Sequence, residues 1–505
     1  MNIPLPTLIT FILYLVGTLV IGVIAWRLTN NLSDYILGGR KLSASVTALS
    51  AGASDMSGWL LLGLPGAIYL RGMSEGVIGL GLVIGAYLNW KFIAPRLRVF
   101  TEKYGDSVTL PDYFENRFND KTKALRVVSA AAILIFFTFY TASGLVAGAT
   151  LFNHTFNMNY QMALWIGAVV IVSYTFLGGF LAVSWTDFFQ GLLMLLALVV
   201  APITAIYELG GWNETTLAIA QAQQTQSIYA HINPLDPFSG LTIIGGLSLL
   251  AWGFGYVGQP HILARFMAID KVENMGTARR ISMSWMIISL VGSILTGLVG
   301  IAYFQVHPEL GVTELQSNSE AVFILMTQVL FNPWVSGILL AAILAAVMST
   351  IDSQLLVCSS AITEDFYRSF FRKNASQNEL VWVGRISVLI LALIAIVIAS
   401  DPNTRVLSLV SYAWAGLGSA FGPLVLLSVL WKRMNKFGAM AGIVVGAFTV
   451  IIWKQLSGGI FDLYEMFPAF ILSLVSIVVV SLLTTPPEQA LIDCFEDSDK
   501  ALADC

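Results

Sequence analysis

Residues 43–70 read SASVTALSAGASDMSGWLLLGLPGAIYL. The stretch is long and apolar enough to cross a bilayer as a helix. Yet Gly52, Ser54, Ser57, Gly58, Gly63, Pro65 and Gly66 crowd it, and Asp55 stands near its middle. Small residues alone fit close helix packing. A carboxylate among them is costly in hydrocarbon unless it meets a cavity or a partner. The combination favours a helix broken near Asp55. Unwinding there frees carbonyl oxygens and a half-helix N-terminus, the parts from which ion and substrate sites are built.

A second stretch, LSLLAWGFGYVGQPHILARF at 247–266, has a comparable interruption. Gly253, Gly255, Gly258 and Pro260 weaken the helix, while Trp252, Phe254 and Tyr256 offer flat faces. Around these two stretches the chain is apolar throughout. Of its 505 residues, 57% are hydrophobic and 11% charged, and the mean hydropathy is +0.78. A soluble domain carries about 25% charge. In lipid every span must satisfy its own backbone, which selects helices. The net charge of −4 suggests no nucleic-acid partner. Cys358, Cys494 and Cys505 form no ligand-spaced cluster, and His154, His231, His261 and His307 show no metal spacing.

The expected fold is all-α and integral to the membrane, with about thirteen spans. They fall at 6–26, 43–72, 76–95, 125–153, 160–184, 188–208, 240–260, 281–305, 333–361, 380–400, 405–431, 437–454 and 463–484. With the N-terminus outside and the C-terminus inside, 23 of the 26 Lys and Arg residues fall on the cytoplasmic side, Arg27 and Arg265 among them. Only Arg71, Arg405 and Lys454 do not, and 207–240 holds no Lys or Arg. The positive-inside rule demands such a bias. The interrupted spans, 2 and 7, lie five apart. Five is odd, so a second repeat enters from the opposite side, giving a 5+5 inverted repeat over about 43–208 and 240–431. Residues 1–485 then form one transporter domain. Residues 486–505 form a short acidic cytoplasmic tail, expected to be a solvated end.

Span 9 carries a third cluster, AAVMSTIDSQLLVCSSAITEDFY at 345–367. Ser349 and Thr350 follow Ala346 by three and four residues, so their hydroxyls reach back toward its carbonyl. Hydroxyls that merely bond their own helix fit the same spacing. Asp352 lies on a similar face. It is expected to meet water at the inner end, a second cation path with Asp187 and Ser353 being the alternative.

These stretches, with SDYILGGRKL at 33–42, ASDMSGWLLLGLPGAIY at 53–69 and WGFGYVGQPHILARFMA at 252–268, resemble the sodium/solute symporter family over essentially the whole chain up to about residue 485. The resemblance implies the leucine-transporter fold and sodium-driven uptake of L-proline through the inner membrane. Sodium is then the coupling ion, with no cofactor and no obligate protein partner. It places the ion on the carbonyls of Ala53, Met56 and Ala346 and the hydroxyls of Ser349 and Thr350. Asp55, Arg40 and Asp187 serve coupling, with Asp187 near the cytoplasmic end of span 5. Ser57, Gly58, Tyr140, Trp252 and Tyr256 serve the substrate. Proline's carboxylate suits a helix N-terminus, and aromatic faces suit its ring and ammonium. Each aromatic alone also fits ordinary packing.

Three other readings compete. One is sodium symport of another small carboxylate such as pantothenate. The second is a transporter-like sensor, for which about 20 residues after span 13 are too few to hold a signalling domain. The third is an integral-membrane enzyme, which lacks a nucleophile elbow or phosphate loop.

Overall fold

The computed structural model describes residues 5–26, 32–175 and 179–503. Arg27 and Cys505 lie outside them. Among the described residues, ten helices are long and apolar enough to cross a membrane. Span 1 is Leu5–Trp26, span 4 Ala124–Phe156, span 8 Met275–Val306, span 9 Pro333–Ser360 and span 11 Val406–Leu430. Ile12, Leu13, Val16 and Val20 of span 1 are exposed, as are Ile386, Leu389, Leu393 and Val397 of span 10, Gln377–Ile398. Apolar surface of that kind is what lipid covers. Spans 2, 4, 9 and 11 are mostly buried and form the centre of the bundle.

Both expected breaks are present. Span 2 is helical over Ala44–Asp55 and leaves helical geometry at Met56, with φ −81° and ψ 73°. It resumes through a π-helical turn, Trp59–Gly63, and Leu64–Arg71. Span 7 runs Ile243–Ala251, tightens to a 3₁₀ stretch over Trp252–Gly258, extends at Gln259 and resumes at Pro260–Ala268. Pro260 at the new N-terminus costs nothing there, since that N–H has no partner within the helix. Glycine lets span 7 press backbone to backbone on span 3, Val77–Leu88. A Cβ on Gly85 would lie 2.1 Å from the Gly253 carbonyl oxygen.

Three expectations need correction. Span 5 ends at Thr175 rather than 184, and span 6 begins at Phe180 and runs to Glu208. Gly179, extended at φ −125° and ψ −170°, separates them. Asp187 therefore belongs to span 6. The tail after Thr485 is no loose end. Gln489–Ala503 is a helix docked on Ala94–Lys103. Phe495 is buried, its ring 5.0 Å from that of Phe100 and 5.1 Å from the Arg117 guanidinium. Leu491 lies one helical turn earlier, and its carbonyl accepts from the Tyr104 hydroxyl at 2.9 Å. Two residues four apart are enough to give an acidic helix an apolar face. Lys432–Glu496 at 2.7 Å and the Arg96–Asp499 pair close its edges. Asp352, finally, does not meet water. It is fully buried in span 9.

Candidate sodium and substrate site

The unwound end of span 2 organises the centre. Helix termini leave carbonyls without intrahelical partners, and here three neighbouring spans face them. The Ser349 hydroxyl donates to the Ala53 carbonyl at 2.8 Å, and Thr350 approaches the same oxygen at 3.4 Å. Ser349 also lies 3.1 Å from the Ala346 carbonyl. Four of the five expected ion ligands thus converge between spans 2 and 9, all fully or nearly buried. Met56 is the residue at which the helix ends, and ψ 73° turns its carbonyl off the helix axis. The cluster is made of neutral oxygens, the donor set for a hard monovalent cation.

Two residues on, the Asp55 carbonyl accepts from the Tyr140 hydroxyl of span 4 at 3.2 Å and from the Ser57 amide at 3.0 Å. The Asp55 carboxylate accepts from the Tyr256 hydroxyl of span 7 through Oδ2. Its Oδ1 has no hydrogen-bond partner among the described residues. A buried acid left so half-paired suits a cationic guest. Tyr140 and Tyr256 therefore both meet Asp55. Gly58 is fixed by packing as well. A Cβ there would lie 2.6 Å from that of Ala147.

Trp252 stands apart from this trio, in an aromatic layer the sequence did not reveal. Its ring stacks on Tyr464 at 5.4 Å and on Trp414 at 6.4 Å, and tilts against Trp59 at 6.4 Å. The Trp414 indole donates to the Trp252 carbonyl at 2.8 Å and meets the Tyr256 ring edge-on at 5.2 Å. Asn89 of span 3 donates to the Tyr256 carbonyl at 2.9 Å. The 3₁₀ part of span 7 is thus held by side chains from spans 3 and 11.

Asp187 has a partner that sequence reading missed. Arg265, counted there as a loop cation, is fully buried in the second half of span 7. Its guanidinium donates to Asp187 Oδ2 at 3.2 Å, Ser353 at 2.5 Å, Ser50 at 3.0 Å and the His261 carbonyl at 2.9 Å. Ser50 in turn donates to Asp187 at 2.7 Å. This network joins spans 2, 6, 7 and 9. Arg40 lies farther out, before span 2. It bonds Asp106 at 3.0 Å, the Met267 carbonyl at 2.7 Å and the Ser107 carbonyl at 2.9 Å.

Residues 35–446 match the model of the sodium:solute symporter family. The chain belongs to that family. It is 56% identical over 499 residues to the sodium/proline symporters of Salmonella typhimurium and Escherichia coli, covering 99% of this chain and 97% of each relative. The osmoregulated proline transporter of Bacillus subtilis is 49% identical over 494 residues, with 97% of both chains covered. The solved outward-open, substrate-bound state of a Na+-coupled sialic acid symporter superposes with a TM-score of 0.79 at 20% identity, covering 96% of this chain and 99% of that one. A nucleobase-cation-symport-1 family transporter superposes with a TM-score of 0.51 at 15% identity, covering 93% and 99%. The shared architecture is the leucine-transporter fold, all-helical and multi-pass, as the two broken helices require.

Proposed function

We propose that this chain is a secondary active symporter in which inward sodium flow drives uptake of L-proline by alternating access. The observation that carries the reading is the meeting of the Ser349 and Thr350 hydroxyls on the Ala53 carbonyl, at 2.8 and 3.4 Å, across the seam between a broken and a continuous helix. Sodium on Ala53, Met56, Ala346, Ser349 and Thr350 would hold span 2 in one shape. Two residues along, that shape sets Asp55, and through it Tyr140 and Tyr256. The ring and ammonium of proline fit the aromatic faces of Tyr140 and Tyr256, and Trp252 backs the pocket through Trp414. Ser57 and Gly58 lie at the break. Relatives up to 56% identical over nearly the full length carry the name sodium/proline symporter, which supports the choice of substrate.

In this reading residues 43–208 and 240–431 are the inverted repeats of one domain. The N-terminus lies outside and the tail inside, in the cell's inner membrane, surrounded by lipid and with no obligate protein partner. Asp187 and Arg40 serve coupling by tying span 7 to its neighbours. The test is uptake of labelled proline into vesicles with and without an inward sodium gradient. Gradient-driven accumulation above the equilibrium level is expected. Equal uptake in both conditions would refute sodium coupling. Pantothenate competing where proline does not would refute the substrate.

A further inference from the structure

His261 is the second residue of the helix that resumes after the span 7 break, and it is fully buried. Its ring lies edge-on to Tyr140, centroids 6.0 Å apart, and to Phe137 at 5.3 Å. It faces the backbone of Ser54, yet neither ring nitrogen closes a hydrogen bond among the described residues. An imidazole carries one donor and one acceptor, and leaving both unmet in the interior is costly. A state in which the ring bonds the Ser54 backbone would relieve that cost.

The position of Ser54 says which state. Its carbonyl lies between that of Ala53, which meets Ser349 and Thr350 of span 9, and that of Asp55, which accepts from Tyr140 of span 4. Three successive carbonyls at one helix end thus face three different spans. The middle one faces span 7, which is itself broken. A cation drawing on the Ala53 and Met56 carbonyls re-aims the peptide units between them. The Ser54 carbonyl would then swing toward or away from the imidazole. The His261 carbonyl, on the same residue, accepts from Arg265 at 2.9 Å, so a shift of His261 passes to the buried ion pair.

We propose that His261 is a positioning residue through which the sodium-dependent shape of the span 2 break reaches the span 7 half of the substrate pocket. It acts by its N–H on the Ser54 carbonyl and touches neither sodium nor proline. The inference rests on the sodium-coupled reading above.

The test compares proline binding across a sodium series in the parent, His261→Leu and His261→Gln proteins. The quantity read is the ratio of proline dissociation constants at limiting and at saturating sodium. In His261→Leu, which keeps bulk and loses the N–H, the ratio is expected to fall by about tenfold, the effect of one hydrogen bond. His261→Gln, which keeps an N–H, is expected to recover most of it. A parent-like ratio in His261→Leu overturns the proposal. So does a deficit in His261→Gln equal to that in His261→Leu, which would mean that ring shape alone matters. Where His261→Leu does not reach the membrane, His261→Met takes its place, since an unbranched side chain repacks more easily. A parent protein whose proline binding ignores sodium would instead refute the sodium-coupled reading itself.

Discussion

Substituting asparagine for Asp187 tests the buried network most directly. The amide would keep an oxygen for the Ser50 hydroxyl, now 2.7 Å from Asp187 Oδ2, and would lose only the charge. Arg265 would then be a guanidinium with no exposed surface and no counter-ion among its four partners. Removing one member of a buried pair costs about 3–5 kcal/mol, because the other is left uncompensated. Polar contacts between helices in a membrane run lower, about 0.6–2 kcal/mol, since the unfolded chain in lipid also finds partners. We therefore expect Asp187→Asn and Arg265→Met each to cost about 3 kcal/mol. The double variant should cost clearly less than their sum, with a coupling energy of about 2 kcal/mol. Arg265→Lys should fall between, because a point charge cannot reach Ser50, Ser353 and the His261 carbonyl together. The assay is reversible denaturant unfolding of the parent, the two single variants and the double variant, purified in detergent and read as a double-mutant cycle. Losses that simply add would mean that the two charges do not meet in the membrane, and the four-span network would fall with them.

The proposed sodium ligands make a second prediction. Ser349→Ala and Thr350→Ala should raise the sodium needed for half-maximal proline binding, while saturating sodium partly restores affinity. A midpoint shared with the parent would place the ion elsewhere. Tyr140→Ala and Trp252→Ala should each weaken proline binding a few-fold to about thirtyfold, the range of about 0.5–2 kcal/mol for a lost cation–π contact. Equilibrium binding to purified protein reads this, and unchanged affinity in both would assign the rings to packing. For topology, Ala230→Cys and Lys373→Cys are both at exposed positions. An impermeant thiol reagent on intact cells should label the first and spare the second, and the reverse result would invert the proposed orientation.

Much of this was legible in the sequence because the bilayer imposes simple rules. A segment of about 20 apolar residues must cross as a helix. Glycines, a proline and a buried acid in one such segment mark where it cannot stay continuous, and Met56 and Gln259 are where spans 2 and 7 give way. What escaped reading depends on partners distant in the chain. Arg265 lies near a helix end and counts like any basic loop residue. Only the fold brings it to Asp187, 78 positions away. Trp414 and Tyr464 look like two more aromatics in spans 11 and 13, and their stacking on Trp252 has no local signal. The junction of spans 5 and 6 was misplaced because apolar residues continue on both sides of Gly179. The tail was misjudged from its charge, since only the spacing of Leu491 and Phe495 marks the docking face.

The hydrogen bonds around the two breaks divide them unequally from the rest of the bundle. At one end, the Leu42 amide donates to the Ala268 carbonyl at 3.1 Å and the Asp270 amide to the Leu42 carbonyl at 2.9 Å. Arg40 adds its bond to the Met267 carbonyl. In the middle, Tyr256 holds Asp55. Spans 2 and 7 are therefore tied to each other three times, by backbone, at the pocket and through the Arg265–Ser50 bond. Span 9 meets them through hydroxyls, Ser349 and Thr350 toward span 2 and Ser353 toward Arg265. Hydroxyls rotate cheaply and exchange partners, whereas a backbone ladder does not. A cation bound at the span 2–9 seam, as proposed, would thus act on the softer of the two junctions. If proline binds at Tyr140 and Tyr256 and sodium at Ala53, as proposed, any such change that favours the first must, by linkage, favour the second by the same factor. In the proposed ligand set, that reciprocity would run through the three peptide units between Ala53 and Met56.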